Sequence, residues 1–173
     1  MDDVTIDRLR GDEARAALDG LADVLHDCVD GGASVSFVHP FAHEDAVEFF
    51  ASLLPEIEAG SRVLVAAFDA EGLVGTVQLI HAAPPNQPHR GDIAKLLVHR
   101  RARGIGVAQA LMAQVEEEAR LDGKSLLVLD TVPGTPAYAL YRKLGWTVVG
   151  EIPGYALDVH GSPEPTAIFF KSV

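Results

Sequence analysis

One stretch constrains this chain more than any other: Ile93 to Leu121, IAKLLVHRRARGIGVAQALMAQVEEEARL. Ile93, Leu96, Leu97 and Val98 suit a buried strand, and Val107, Ala110, Leu111, Met112, Val115 and Ala119 return at helical spacing. Between them lies Arg100-Arg101-Ala102-Arg103-Gly104-Ile105-Gly106. Glycine lets backbone N–H groups approach a ligand with no side chain in the way. A helix start leaves further N–H groups unpaired, with the positive end of the dipole behind them. Strand, glycine turn and helix together predict a diphosphate cradle, although an ordinary βα turn with solvated arginines satisfies the same pattern. Charge favours the cradle. The chain carries 14 Lys+Arg against 25 Asp+Glu, a formal charge of −11, yet His99 to Arg103 holds three arginines and a histidine with no acid. Such a basic island predicts a specific anionic partner.

At 173 residues the sequence predicts one domain, residues 1–173, and its 48% hydrophobic content is enough for a core. A lone cysteine, Cys28, excludes an internal disulfide, and its place on an apolar helix face predicts a core residue. The start, MDDVTIDRLRGDEARAA, has no apolar leader, and no run approaches 18 uncharged apolar residues. The expected location is the cytoplasm, with no membrane partner. Net negative charge argues against nucleic acid. No metal site is expected: His39 and His43 are four apart but flank Pro40.

In chain order, Val4 to Leu9 predicts a strand, and Asp12 is a candidate N-cap for a helix presenting Ala14, Ala17, Leu18, Leu21, Leu25 and Cys28. Gly31-Gly32 stops it. Ala33 to Val38 is ambiguous. A second helix begins near Ala42 to Glu44, and Pro55 should kink or split it. Phe49 and Phe50 suit the core better than a pocket. Arg62 to Phe68 and Leu73 to Ile80 predict a hairpin about Asp69–Gly72. Thr76 and Gln78 share one face of it, facing either a substrate or solvent. Ser125 to Leu129 is an apolar strand suited to a parallel pair, and a helix follows Pro136, capped by Gly145. Trp146 to Glu151 and Thr166 to Lys171 predict the last strands, joined by a long loop or bent hairpin. The order βααβββαβαββ implies an α/β layered fold.

Two carboxylates and a phenol stand out. Asp130 emerges at the carboxyl end of a buried strand, where ligands collect in open α/β sheets. Asp92 precedes the central strand. Either can serve strand-end capping, or take a proton from an ammonium group, a task that a dry pocket favours. Tyr141 lies one turn into its helix, and by itself suits a core position with its hydroxyl outward.

Arg101-Ala-Arg103-Gly104-Ile-Gly106 resembles the R/Q-x-x-G-x-G/A motif of the GNAT family of N-acetyltransferases, and it lies between the right strand and helix. That resemblance implies a single-domain α/β GNAT-like fold: a mixed, mostly antiparallel sheet with a splayed parallel pair, flanked by helices. It implies acetyl-coenzyme A as cosubstrate and no metal. Its pantetheine arm would pair along the split strand at Leu97 and Val98, one of which would offer an oxyanion N–H. The backbone of Arg103, Gly104, Ile105, Gly106, Val107 and Ala108 would hold the pyrophosphate. Lys143 and the surface arginines would add charge contacts. Tyr138 to Trp146, YALYRKLGW, is similar to the family's Y-x-x-x-GF segment, which makes Tyr141 the general acid and a cofactor contact, with Tyr138 second.

Gly31–Phe37, Lys95–Gly106, Leu129–Thr131, Gly150–Tyr155 and Pro165–Lys171 further resemble family members that detoxify an amino-acid-like β-lactam. There a carboxylate before the central strand and an aspartate in LDT act on the substrate amine, which maps to Asp92 and Asp130; the former is Glu in those proteins. The expectation is direct acetyl transfer, in a ternary complex, to the amine of a small amino-acid-like molecule, a class that includes toxins and antibiotics. The alternatives are a protein or peptide N-acetyltransferase and a non-catalytic acyl-coenzyme A sensor. Monomer and homodimer both fit.

Overall fold

Strand β1 (Thr5–Leu9) opens the chain in the computed structural model, which describes residues 4–173; Met1 to Asp3, the beginning of the stretch read for a leader, lie outside the described residues. Three helices follow, α1 (Gly11–Ala16), α2 (Leu18–Asp30) and α3 (His43–Glu58). Then come β2 (Arg62–Asp69), β3 (Gly72–His81), β4 (Arg90–Val98), α4 (Val107–Leu121), β5 (Leu126–Thr131), α5 (Pro136–Lys143), β6 (Thr147–Leu157) and β7 (Pro163–Ser172). The strands form one seven-stranded sheet in the order β1-β2-β3-β4-β5-β7-β6. Every neighbouring pair is antiparallel except β4 and β5. The expected single-domain GNAT-like architecture is the one observed.

Each sheet face has its own core. On one, Val63, Val77, Leu79 and Ile93 meet Leu111, Met112 and Val115 of α4 and Tyr141 of α5. On the other, Leu64, Ala66 and Leu97 meet Leu21, Leu25 and Cys28 of α2 and Phe50 and Leu54 of α3. The alternation of β2 and β3 therefore serves two apolar layers rather than one solvated face. Thr76 and Gln78 are fully buried, which removes the solvent reading for both. Among the described residues no helix is long and apolar enough to cross a membrane.

Several local expectations yield to packing. The first helix breaks at Ala17, and its N-cap is Arg10, not Asp12; the Arg10 N–H donates to Glu13 Oε2 at 3.0 Å. A cap is worth about 1 kcal/mol, whereas each buried Leu or Val contributes roughly 1.5–3 kcal/mol, so the apolar face sets the helix start. Pro55 neither splits nor ends α3. Its missing N–H costs one backbone bond near the helix end, while Leu53, Leu54 and Ile57 around it are buried. Ala33 to Val38 forms no strand. The last two strands run further than their apolar cores: β6 and β7 form a bent hairpin whose register shifts between Ile152 and Ala156.

Candidate active site

The glycine turn holds its shape through backbone conformation. After one 3-10 turn, Arg100–Ala102, the chain passes through Gly104 at φ +81° and Gly106 at φ +95°. A Cβ in this left-handed region costs roughly 1–2 kcal/mol. Gly106 caps α4, and its carbonyl accepts from Ala110 N–H at 3.0 Å. The N–H groups of Val107, Ala108 and Gln109 precede any intrahelical acceptor. They stand at the positive end of a 15-residue helix, beside an exposed turn. This cradle suits a pyrophosphate through backbone groups alone.

The neighbouring arginines serve another purpose. Arg100 donates through N–H and Nε to Asp27 at 2.8 Å each and pairs with Asp30 at 2.8 Å. Arg101 pairs with Asp69 and reaches Glu71 at 3.6 Å. Arg100 and Arg101 are thus neutralised by acids of α2, the end of β2 and the β2–β3 turn, and the anionic partner predicted for these two side chains is the protein itself. Arg103 faces no acid among the described residues, but its Nε donates to Val98 O at 3.0 Å. Its own N–H closes the 3-10 turn at 3.4 Å. Cys28 is buried, with Sγ 3.6 Å from Val98 O, and burial pushes its thiol pKa up, as befits a core residue.

Beside the cradle, β4 and β5 part. They pair only at Arg90–Leu126, Gly91–Leu127 and Asp92–Val128, after which β4 runs on for six residues without this neighbour. The His99 N–H donates to Val74 O of β3 at 2.9 Å. By alternation Leu97 also turns its backbone groups to β3, and Val98 between them turns toward the split. Of the two expected strand-edge residues, Val98 has the geometry to meet a ligand there.

The carboxylates share a cleft. Asp92 is opposite Val128, and Asp130 stands two residues further along β5, so both project from the same face. With Ile80, Ala94, Tyr155 and Ile168 they line an open cleft of about 400 Å³. Arg90 pairs with Asp92 Oδ1 and is braced by Gln87 Oε1 at 2.7 Å. Asp130 Oδ2 accepts from Thr166 Oγ1 at 2.9 Å. The dry surroundings expected here are absent: Asp130 is exposed, and the Asp92 side chain is 39% exposed.

Tyr141 approaches from the opposite layer. Thr135 caps α5, accepting from Tyr138 N–H, and the helix presents Tyr141 to Trp146 and Phe169 at ring-centroid distances of 6.1 and 5.8 Å. Trp146 Nε1 donates to buried Glu116 of α4, which also accepts from Lys171 Nζ at 2.7 Å. This network ties α5 to α4 and β7. Burial, and after it the charge of Asp130, push the Tyr141 phenol pKa well above its ordinary value. It carries its proton at neutral pH, as a free phenol does, and the shift makes it a weaker acid than a free phenol. Tyr138 packs on Phe169 instead, and Lys143 is exposed.

Sequence reasoning passed over Thr166, whose partnership with Asp130 depends on β5–β7 register, and Tyr155, which the β6 bulge places at the cleft. It also passed over Lys95, although a lysine inside the apolar run IAKLLV was a visible signal.

A single sheet with one parting parallel pair, a glycine-turn cradle at the adjoining helix and a cleft of carboxylates define an acyl-transfer scaffold. The sequence model of the acetyltransferase (GNAT) family matches residues 29–146, and the chain belongs to that family. It is 32% identical over 133 residues to an uncharacterized N-acetyltransferase encoded in the hisH-hisA intergenic region of Azospirillum brasilense, covering 75% of this chain and 76% of that protein. An IAA acetyltransferase of the same organism is 33% identical over 82 residues, 47% of this chain and half of that protein's length. Among solved structures, ribosomal-protein-alanine N-acetyltransferase from Brucella melitensis superposes with TM-score 0.80 at 19% identity, covering 98% of this chain and 99% of that one. A phosphinothricin acetyltransferase from Sinorhizobium meliloti, in complex with acetyl-coenzyme A, gives 0.79 at 17%, covering 98% and 88%. At these identities the structures share the fold.

Proposed function

We propose that this protein transfers acetyl from acetyl-coenzyme A to the amine of a small amino-acid-like molecule, directly and in a ternary complex. The observation that carries the reading is the parting of β4 and β5 between the α4 cradle and the Asp92–Asp130 cleft. The described residues fit the cosubstrate: the cradle offers backbone donors to a pyrophosphate, and the edge of β4 that β5 leaves unpaired beyond Asp92 offers backbone groups to the pantetheine amides. When bound, acetyl-coenzyme A supplies the thioester carbonyl that an amine attacks and the thiolate that leaves. The chain's residues do the rest. Asp130, oriented by Thr166, and Asp92 attract the ammonium form of the acceptor and take or relay its proton, leaving a neutral nucleophile. The Val98 N–H stabilises the charged oxygen, and Tyr141 gives its proton to the leaving sulfur.

The amino-acid-like acceptor is supported by the likeness of five segments to the tabtoxin-resistance acetyltransferase, and a toxin or antibiotic amine is one member of that class. A cytoplasmic location belongs to the same reading. So do monomer and homodimer alike, with β6 as an open edge for a second copy. The openness of the cleft favours a second reading, a protein or peptide N-terminus as acceptor. Free-thiol release, measured with acetyl-coenzyme A and a panel of amino acids, β-lactam amino acids, dipeptides, polyamines, aminoglycosides and peptide N-termini, tests both. One preferred small amine with Tyr141-dependent turnover supports the first. Turnover confined to peptides selects the second, and binding without any turnover selects a sensor.

A further inference from the structure

Lys95 is a charge at a point where the strand pattern calls for core. Against β3, Gln78 pairs with Ala94 and Thr76 with Leu97, so Lys95 and Leu96 together stand opposite Val77. This one-residue bulge gives Lys95 a φ of +52°, uncommon for a residue with a side chain. Strict alternation from Ala94 would send Lys95 into the α4 layer. The bulge sends Leu96 there instead and brings Lys95 out on the α3 layer, the face of Asp92 and Ala94.

On that face the Lys95 Nζ donates to Ser36 Oγ at 2.9 Å and lies 5.7 and 5.6 Å from the ring centroids of Phe37 and Phe49. No carboxylate oxygen among the described residues comes within 4.0 Å of it. The charges it faces are Asp130, which attracts it, and Arg62, which repels it. Arg62 is itself neutralised by Glu56 at 2.8 Å and donates to Gln78 Oε1 at 2.6 Å. That bond fixes the Gln78 amide, because a flip would set two donors face to face. Gln78 Nε2 is then a fully buried donor with no acceptor, on the same face. A half-buried cation on an aromatic wall and a buried N–H both lack an anion.

We propose that Lys95 holds the carboxylate of the acceptor, which is therefore a zwitterion with its amine toward Asp92 and Asp130 and its carboxylate toward Lys95. The proposal rests on the acetyltransferase reading and narrows it. The cleft then selects amino acids over simple amines by charge at both ends, and Phe37 and Phe49 flank the carboxylate.

The test pairs each of the standard L-amino acids with its α-carboxamide. Thiol release is measured for the wild type, Lys95→Met, which keeps the apolar stem, and Lys95→Arg, which keeps the charge. Saturation-transfer NMR on the coenzyme A-loaded proteins reads binding of the same pairs without turnover. The expected result is a wild-type preference for the carboxylate member of about 10- to 100-fold in kcat/KM, carried by KM. Lys95→Met should abolish that preference, and Lys95→Arg should restore part of it. Turnover of small amines with no such preference, or an equal loss for both members in Lys95→Met, overturns the carboxylate role and leaves the acetyltransferase reading intact. Lys95-dependent binding of carboxylates with no turnover of any amine sinks that reading and keeps the subsite. Neither binding nor turnover sinks both.

Discussion

Thr166 Oγ1 donates to Asp130 Oδ2 at 2.9 Å across the β5–β7 pair, fixing one oxygen of a carboxylate that otherwise faces water. The same hydroxyl lies 3.3 Å from Thr131 O, so it is seated by the strand end it serves. Thr166→Val keeps the shape and removes the donor. Because water reaches Asp130, thermal stability should change little, while kcat/KM in the thiol-release assay should fall roughly 3- to 10-fold, the worth of about 1 kcal/mol of orientation. Unchanged kcat/KM would separate Thr166 from the chemistry.

Tyr141→Phe keeps the ring against Trp146 and Phe169 and removes only the hydroxyl. If the phenol protonates the leaving thiolate, kcat should fall about 10²- to 10⁴-fold with KM nearly unchanged. The phenol pKa is raised in the fold above the ordinary 10.0, so the folded state holds this proton more tightly than the unfolded chain. Stability should drop as pH rises past 10.0, and less steeply in Tyr141→Phe. Denaturation midpoints between neutral and alkaline pH give this comparison.

Arg100→Ala and Arg101→Ala should leave acetyl-coenzyme A affinity nearly unchanged, since both guanidinium groups already pair with acids. Gly106→Ala should weaken cofactor binding and cost roughly 1–2 kcal/mol in stability, because the left-handed cap disfavours a Cβ. Calorimetric titration and thermal melts on the three variants distinguish side-chain from backbone recognition.

The Asp27 carboxyl is pushed up by burial, but the N–H and guanidinium of Arg100 outweigh this and hold it below the usual 3.8. The folded state therefore binds this proton more weakly than the unfolded chain. The stabilisation is fully present above 3.8 and is lost as pH falls below it through the depressed value. Asp27→Asn should destabilise the protein by about 1–3 kcal/mol at neutral pH and flatten its acid-side loss. Urea midpoints across that range check both.

The glycine turn, the apolar period of α4 and the strand that ends in Asp130 were all legible, because each is a local pattern whose physics acts within a few residues. So was the kinship of the segment from Arg101 to Gly106. The fate of the arginines beside it was not. Arg100 meets Asp27, 73 residues away, and no local pattern says which acid will arrive. Phe49 and Phe50 illustrate the same limit: Phe50 is core at 1% exposure, while its neighbour turns to Lys95.

By itself the sequence determined the order of elements, apart from the break at Ala17 that splits the first helix in two, the place of the glycine turn, and the apolar faces that force helices onto both sides of one sheet. Backbone sterics and hydrophobic periodicity are properties of short segments and need no partner. Tertiary structure decided which charges are free to act. Sheet register brought Thr166 to Asp130, folding neutralised Arg100 and Arg101, and a single extra residue in β4 turned Lys95 from the α4 core to the sheet face that carries Asp92 and Asp130. Each of these outcomes depends on pairing between segments distant in the chain, where a shift of one residue exchanges the two faces of a strand.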